Sequence, residues 1–185
     1  MKLRLLTAIC VFGLSLAANA QEVARPDVPD SIKAPDGEKI VLLAHASGFQ
    51  VYTCQIGGDG KPAWALKGPD ARLFDRQGSA IGHHHLNPGP PPLPTWKHND
   101  GSEVSGKMMA RVDSPDSDSI PWLLLTATSH SGKGILSGVT TIQRINTNGG
   151  LAPAAANCDE ARKGTESKSA YVADYYFYAA ADQNQ

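Results

Sequence analysis

Three consecutive imidazoles, His83-His84-His85, are the residues whose type and spacing most directly offer chemistry. They end a run, Ala80 to His85, that reads as a strand, and the two-residue period of a strand puts His83 and His85 on one face and His84 on the other. A His-x-His pair on a strand can present two neutral imidazoles to one metal ion, zinc or copper by ligand type. His98 in the adjoining extended run, or His45, would be the third ligand. No carboxylate stands at the spacing a cupin-like metal site shows. The competing reading is a polar strand end beside a proline-rich loop, Asn87 to Pro94, with His84 alone buried and hydrogen-bonded.

Other constellations are better explained by turns. Asp100-Gly101-Ser102 offers a hydroxyl nucleophile, but Asn, Asp, Gly and Ser are what a tight hairpin requires, and no Gly-x-Ser-x-Gly elbow occurs in the chain. Asp70 and Asp75 flank turns in the same way. Gly132-x-Gly134-x-x-x-Gly138 lacks the Lys-Ser/Thr of a phosphate loop and does not open a helix. Trp64, Trp96 and Trp122, with the C-terminal tyrosines, can line a ligand cavity. Trp122 and Phe177 are expected in the core, while Trp96, following the proline loop, stands between core and site.

The elements that must position these residues are short, apolar and punctuated by Gly and Pro. Ile120 to Thr128 is apolar on both alternate faces and reads as a central strand covered on both sides, with Pro121 at its entrance and Trp122 its first paired residue. Ser129 to Gly134 turns the chain into a second strand, Ile135 to Asn146. Earlier, Lys39 to Ala46 and Phe49 to Ile56 suggest a hairpin about Ser47-Gly48. Ala63 to Leu66 and Ala71 to Phe74 read as two strands split by Gly68-Pro69-Asp70. Thr95 to His98 and Glu103 to Val112 flank the Asn99-Asp100-Gly101-Ser102 turn. Ala152 to Ala161 supports at most one short helix, and Ser169 to Ala179 closes the domain as a strand. About ten short strands argue for a single-domain, all-β, antiparallel barrel or sandwich with long loops. The apolar last strand favours the barrel, because an open edge there would invite aggregation.

Met1 to Ala20 has the parts of an export signal: Lys2 and Arg4, an apolar stretch, then Ala18-Asn19-Ala20. The chain therefore divides into a signal peptide (1–20), an extended arm (21–36), an all-β domain (37–180) and a disordered tail (181–185). Of 17 basic residues two lie in the signal, so 15 face 18 acidic ones in the remainder. Nothing basic is clustered, which argues against nucleic acid, and no later segment has the roughly 18 apolar residues of a membrane span. Past the signal only Cys54 and Cys158 remain, an even pair that in an oxidising compartment reads as one disulfide. For a loop of about 100 residues the chain-entropy model gives roughly 4.7 kcal/mol. The expected location is periplasmic or extracellular. Nothing in the sequence sets an oligomeric state.

Taken in order, Tyr52-x-Cys54, Trp64, Pro69-x-Ala71-x-Leu73-x-Asp75, Gly82-x-His84, Thr95-Trp96, Asp100-Gly101-Ser102-x-Val104, Ile120-Pro121-Trp122, Gly132-x-Gly134, Ile142-Gln143-Arg144-x-Asn146-Thr147 and Tyr171-x-Ala173-x-Tyr175-x-Phe177-Tyr178 form a pattern. It resembles the exported bacterial and fungal family catalogued as domain of unknown function 3455, from about Val28 to Tyr178. The resemblance implies no activity. Some fungal relatives carry a malate dehydrogenase label, and this chain has no dinucleotide fingerprint on a βαβ unit to support it. In the family, Gly-x-His leads through a short segment to Thr-Trp; here His85 and Leu86 to Pro94 enlarge that region.

These readings converge on a binding or envelope-associated module for a small molecule, with His84, Trp96 and Asp100 around the site and Arg144 as an anion partner. The alternatives are a metal-dependent enzyme using His83, His85 and His98, and a purely structural or stress-related envelope protein.

Overall fold

Period-two alternation governs the chain from Glu38 onward. In the computed structural model, which describes residues 23–58 and 60–181, eight strands form: β1 (Glu38–Ile56), β2 (Pro62–Phe74), β3 (Ala80–Asn87), β4 (Leu93–His98), β5 (Glu103–Val112), β6 (Trp122–Ser131), β7 (Val139–Gly149) and β8 (Glu166–Ala180). Each pairs antiparallel with its neighbour in sequence, and β8 returns to β1, so the sheet is a closed barrel in meander order. The all-β expectation is met, and of barrel and sandwich it is the barrel. The short helix expected within Ala152 to Ala161 is replaced by two single 3-10 turns, Ala155–Asn157 and Glu160–Arg162. The expected signal peptide (1–20), and all of the expected tail (181–185) but residue 181, lie outside the described residues.

Two expected breaks are absent. Ser47-Gly48 is not a hairpin turn, because β1 runs through it unbroken. Gly48 is there for a close approach: a Cβ would lie 2.3 Å from the carbonyl oxygen of Asp70 and 2.4 Å from the Cα of Ala71. Gly68-Pro69 likewise does not split β2. The register slips at Val51/Tyr52, which pair with Gly68 and Leu66, so Lys67 is the extra residue of a bulge. Pro69 pairs with Gln50 of β1, and the β2–β3 ladder begins only at Asp70, so its missing N–H costs no bond there. β6 also outruns its expected end, since Ser129 and His130 still pair with Ser105 and Val104. β7 starts later than expected, at Val139.

Residues 132–138, between β6 and β7, fold over one end of the barrel. Leu136 is fully buried with Val139 and Phe177 in the main apolar cluster. The Asp100 carboxylate accepts from the Ile135 N–H and the Ser102 hydroxyl from the Leu136 N–H, which ties this plug to the β4–β5 turn. Gly134 allows the fit, as a Cβ there would sit 2.2 Å from the Asp100 carboxylate. The turns joining β2 to β3 and β4 to β5 lie at this closed end; the long loops joining β3 to β4, β5 to β6 and β7 to β8 lie at the other.

The arm ahead of β1 packs on the outside of the wall. Val28 and Ile32, the latter in the 3-10 turn Asp30–Ile32, cluster with Ile145, Trp122, Leu124, Val112, Ala110 and Tyr176. Gln143 donates its side-chain N–H to the Ile32 carbonyl, and the Arg25 guanidinium bonds the Ala34 and Pro35 carbonyls. This cover explains why β6 is apolar on both faces: Leu123 and Leu125 face the interior, Trp122 and Leu124 face the arm. At the open end, Cys54 and Cys158 form the expected disulfide. Ile32→Ala is expected to lower unfolding free energy by about 2–5 kcal/mol, read from urea unfolding with unchanged m. Replacing both cysteines by alanine should cost about 2–5 kcal/mol in the same assay.

Candidate functional site

Small and large side chains divide the barrel interior lengthwise. Ala44, Ala46, Ala71 and Ala173 are almost wholly buried, and the room they leave is taken by Trp96, Tyr175 and Phe177. His84 pairs across the sheet with Ala71 on one side and Trp96 on the other, and its ring lies flat on the indole, centroids 4.4 Å apart. Tyr175 meets both rings edge-on, at 5.0 Å from His84 and 5.3 Å from Trp96. This aromatic layer is a floor. Above it, toward the open end, the barrel holds a cavity of about 680 Å³.

The cavity wall is mostly apolar, with Leu123, Leu125, Ile120, Leu86, Leu93 and Met108 among its residues. Pro92 and Pro94 of the proline loop belong to its rim. Gly106 keeps the inner face of β5 low: a Cβ there would come within 3.3 Å of both Ile142 and Trp96 side-chain atoms. The β4–β5 ladder is short, only Thr95, Trp96 and Lys97 pairing with Ser105, Val104 and Glu103. Beyond it β4 and β5 separate, and Leu93, Pro94, Lys107 and Met108 border the gap.

Arg144 is the ionic group set deepest in this wall. On the inner face of β7 it is flanked by Leu123 of β6 and Tyr175 of β8, its register partners. Its Nε and Nη2 donate to the Pro121 carbonyl at 3.2 and 2.8 Å. Neither an Asp nor a Glu lines the cavity, and among the described residues no carboxylate pairs with Arg144. Its charge is felt across the barrel. Burial raises the phenols of Tyr52 and Tyr175, and Arg144 partly offsets both shifts. Burial also holds the His84 imidazole down to about 3, and Arg144 adds to that effect. The His84 Nδ1 lies 2.9 Å from the Thr95 carbonyl oxygen, which can only accept, so Nδ1 carries the hydrogen and Nε2 the lone pair. The Trp96 indole N–H is buried without a partner, and the buried Tyr171 and Tyr175 hydroxyls have each other, and Tyr175 also Arg144, as neighbours but no well-aligned hydrogen bond.

Of the residues singled out from sequence, His84, Trp96 and Arg144 meet at this cavity, and Asp100 does not. Asp100 lies at the closed end, where its carboxylate takes the Ser102 hydroxyl and N–H, the Ile135 N–H and the His98 ring. The Ser102 hydroxyl, foremost among these bonds, holds the Asp100 carboxyl well below the usual range. Ser102 is fully buried in that role, which removes it as a nucleophile. His83 and His85 stack on the outer face at 5.4 Å. His98 pairs with Gly82, and so alternates with His83 rather than sharing its face. His83 and His98 both border a shallow depression, but with Arg72 and Lys97, two cations. His83 engages Asp70, and His45 engages Asp174. Among the described residues no three His, Cys, Asp or Glu side chains come together as a metal-binding group. Sequence reasoning passed over Gln50, Tyr52, Gly106 and Leu123, which line the cavity. The parity that puts Phe177 inward also puts Tyr175 inward, and was the available signal.

Fold and cavity together define a closed, eight-stranded, antiparallel β-barrel with an interior open at one end. The chain belongs to the family described as Protein of unknown function (DUF3455), whose model matches residues 35–179. No curated protein and no solved structure matches it.

The buried His84 predicts how stability follows pH. Its folded-state value of about 3 lies below the roughly 6.5 of an unfolded chain. The unfolded state therefore binds a proton first, and stability present above about pH 6.5 drains away toward pH 3, at up to about 1.4 kcal/mol per pH unit. His84→Phe, which keeps the ring stack, should show a shallower loss between pH 7 and pH 4.5 than the parent in urea unfolding.

Proposed function

We propose that the barrel is a container that binds one small, largely apolar molecule through its open end. The observation that carries this reading is the 680 Å³ cavity above the aromatic floor, within the roughly 300–1,000 Å³ of small-molecule sites. An eight-stranded barrel is just wide enough either to be filled by its own side chains or to hold one small ligand. Here the aromatic layer fills the lower half, and Met108, on the cavity wall, stays 52% exposed. Orphaned polar groups beside a mainly apolar wall are what a site with a few orienting contacts requires.

We assign the container to an oxidising, exported compartment, on the support of the Cys54–Cys158 disulfide and of an N-terminal sequence with the parts of an export signal. Binding rather than catalysis is supported by the turn and plug bonds that occupy Ser102 and Asp100.

Titration with the neutral apolar fluorophore N-phenyl-1-naphthylamine tests the reading. One molecule should bind per chain, with an emission increase and a change in tryptophan fluorescence. Met108→Trp, which places bulk in the mouth at an exposed position, should weaken binding about tenfold or more with little change in melting temperature. The His83→Ala/His85→Ala double variant, altered on the outer face, should bind as the parent does. Absence of binding, or binding indifferent to Met108→Trp, would overturn the proposal.

A further inference from the structure

We infer that the molecule held in the barrel is an amphiphile with a single carboxylate, its apolar body in the cavity and its head group on Arg144 and Tyr175. This rests on the container reading and adds the ligand's chemical class.

The first ground is charge. Arg144, Lys67, Lys107 and Arg111 line the cavity, and no acidic residue does. Lys67 and Arg111 are matched from outside by Glu166 and Asp113. Arg144, the deepest of the four, has neutral partners alone among the described residues: the Pro121 carbonyl, which engages Nε and Nη2, and the neighbouring Tyr175 hydroxyl. A guanidinium carries five N–H donors in a planar fork suited to a carboxylate. Seating one among Leu123, Leu125 and Ile120 without a counter-charge is costly, and an anionic ligand removes that cost.

Hydrogen-bond demand is the second ground, and it is independent of charge. The Tyr175 hydroxyl, in a residue 1% exposed beside Arg144 in the wall, has Tyr171 and Arg144 as polar neighbours toward its oxygen but no acceptor for its own hydrogen. The Trp96 indole N–H, in the floor, has no acceptor either. These groups offer hydrogens that nothing in the wall accepts. A carboxylate brings two oxygens that only accept. An ammonium head would meet Arg144 as a like charge, and a neutral alcohol would leave that charge unanswered. Burial raises the Tyr175 phenol, so it stays a protonated donor.

The third ground is shape. The head-group region lies between Leu123 and Tyr175, and Leu125, Ile120, Leu86, Leu93 and Met108 give the rest of the cavity its mainly apolar wall, with Lys107 at the border of the gap between β4 and β5. One polar end and one long apolar end fit that arrangement.

Isothermal titration of the purified protein with decanoate, decanol and decylamine, all as monomers near neutral pH, decides the matter. Decanoate should bind about ten- to a hundredfold more tightly than decanol, and decylamine more weakly than either. Arg144→Gln should bring decanoate down to the level of decanol, and Arg144→Lys should keep part of the preference. Thermal melts establish that each variant is folded, and the lysine variant carries the test if the glutamine variant is not. Equal binding of decanoate and decanol by the parent protein would overturn the assignment and leave the container standing. So would a preference that survives Arg144→Gln in full. Failure of all three to bind would remove the container reading together with this one.

Discussion

The ladder between β1 and β8 is the constraint on which the rest of the molecule depends. It is the longest in the sheet, running from Glu38↔Ala180 to Thr53↔Glu166. Without it the meander would be an open sheet with two apolar edges; with it, every strand has two neighbours and the sheet has an inside. A 19-residue first strand is needed because β1 must serve β8 along nearly its whole length and β2 along its second half. The close pass of Gly48 over Ala71 and the bulge at Lys67 let so long a strand curve around the barrel instead of running off it.

Closure creates a volume that side chains must either fill or line. At the plugged end they fill it: Leu136 from the loop, Phe177 and Trp96 from the wall, with alanines opposite. At the other end they only line it. The difference comes down to a few positions, namely Gly106 where a larger residue would meet Trp96, the half-exposed Met108, and Arg144 where an apolar residue would have completed the core. A cation kept among apolar neighbours with no acid in reach lowers stability relative to a hydrocarbon. On the reading proposed above, that loss is tolerated because the position serves a guest rather than the fold.

Much of this was legible in the sequence, and the exceptions share a cause. Strand alternation, the cysteine pair, the turn at Asn99-Asp100-Gly101-Ser102 and the place of Pro121 ahead of Trp122 are local features, and local chemistry determines them. Gly48 and Gly68-Pro69 misled because glycine and proline mark turns and close approaches alike, and only the neighbouring strand tells which. The both-faced apolarity of β6 was visible, but not that residues 28–32 supply its outer cover. For the candidate site, residue type alone drew attention to His84, Trp96 and Arg144, which the fold places on the cavity wall. Asp100 and His98 were misplaced because nearness in sequence to a histidine strand says nothing about which end of a barrel a turn occupies. Arg144 opposite Tyr175 became meaningful only once register fixed both as inward.

The separation of β4 from β5 past Thr95 and Ser105 has a further consequence. It leaves a stretch of strand backbone without a ladder partner beside the cavity, and exposed strand backbone is a template on which a second chain can add itself. On the β4 side the residues at that edge include Pro92 and Pro94, which have no N–H to give. On the β5 side Lys107 and Arg111 put positive charge along it. A strand approaching the opening finds too few donors and a row of cations, whereas a molecule without a peptide backbone meets no such refusal. The residues bordering the gap thus make its backbone a poor template for strand addition, as proline and lysine do at the edges of open sheets.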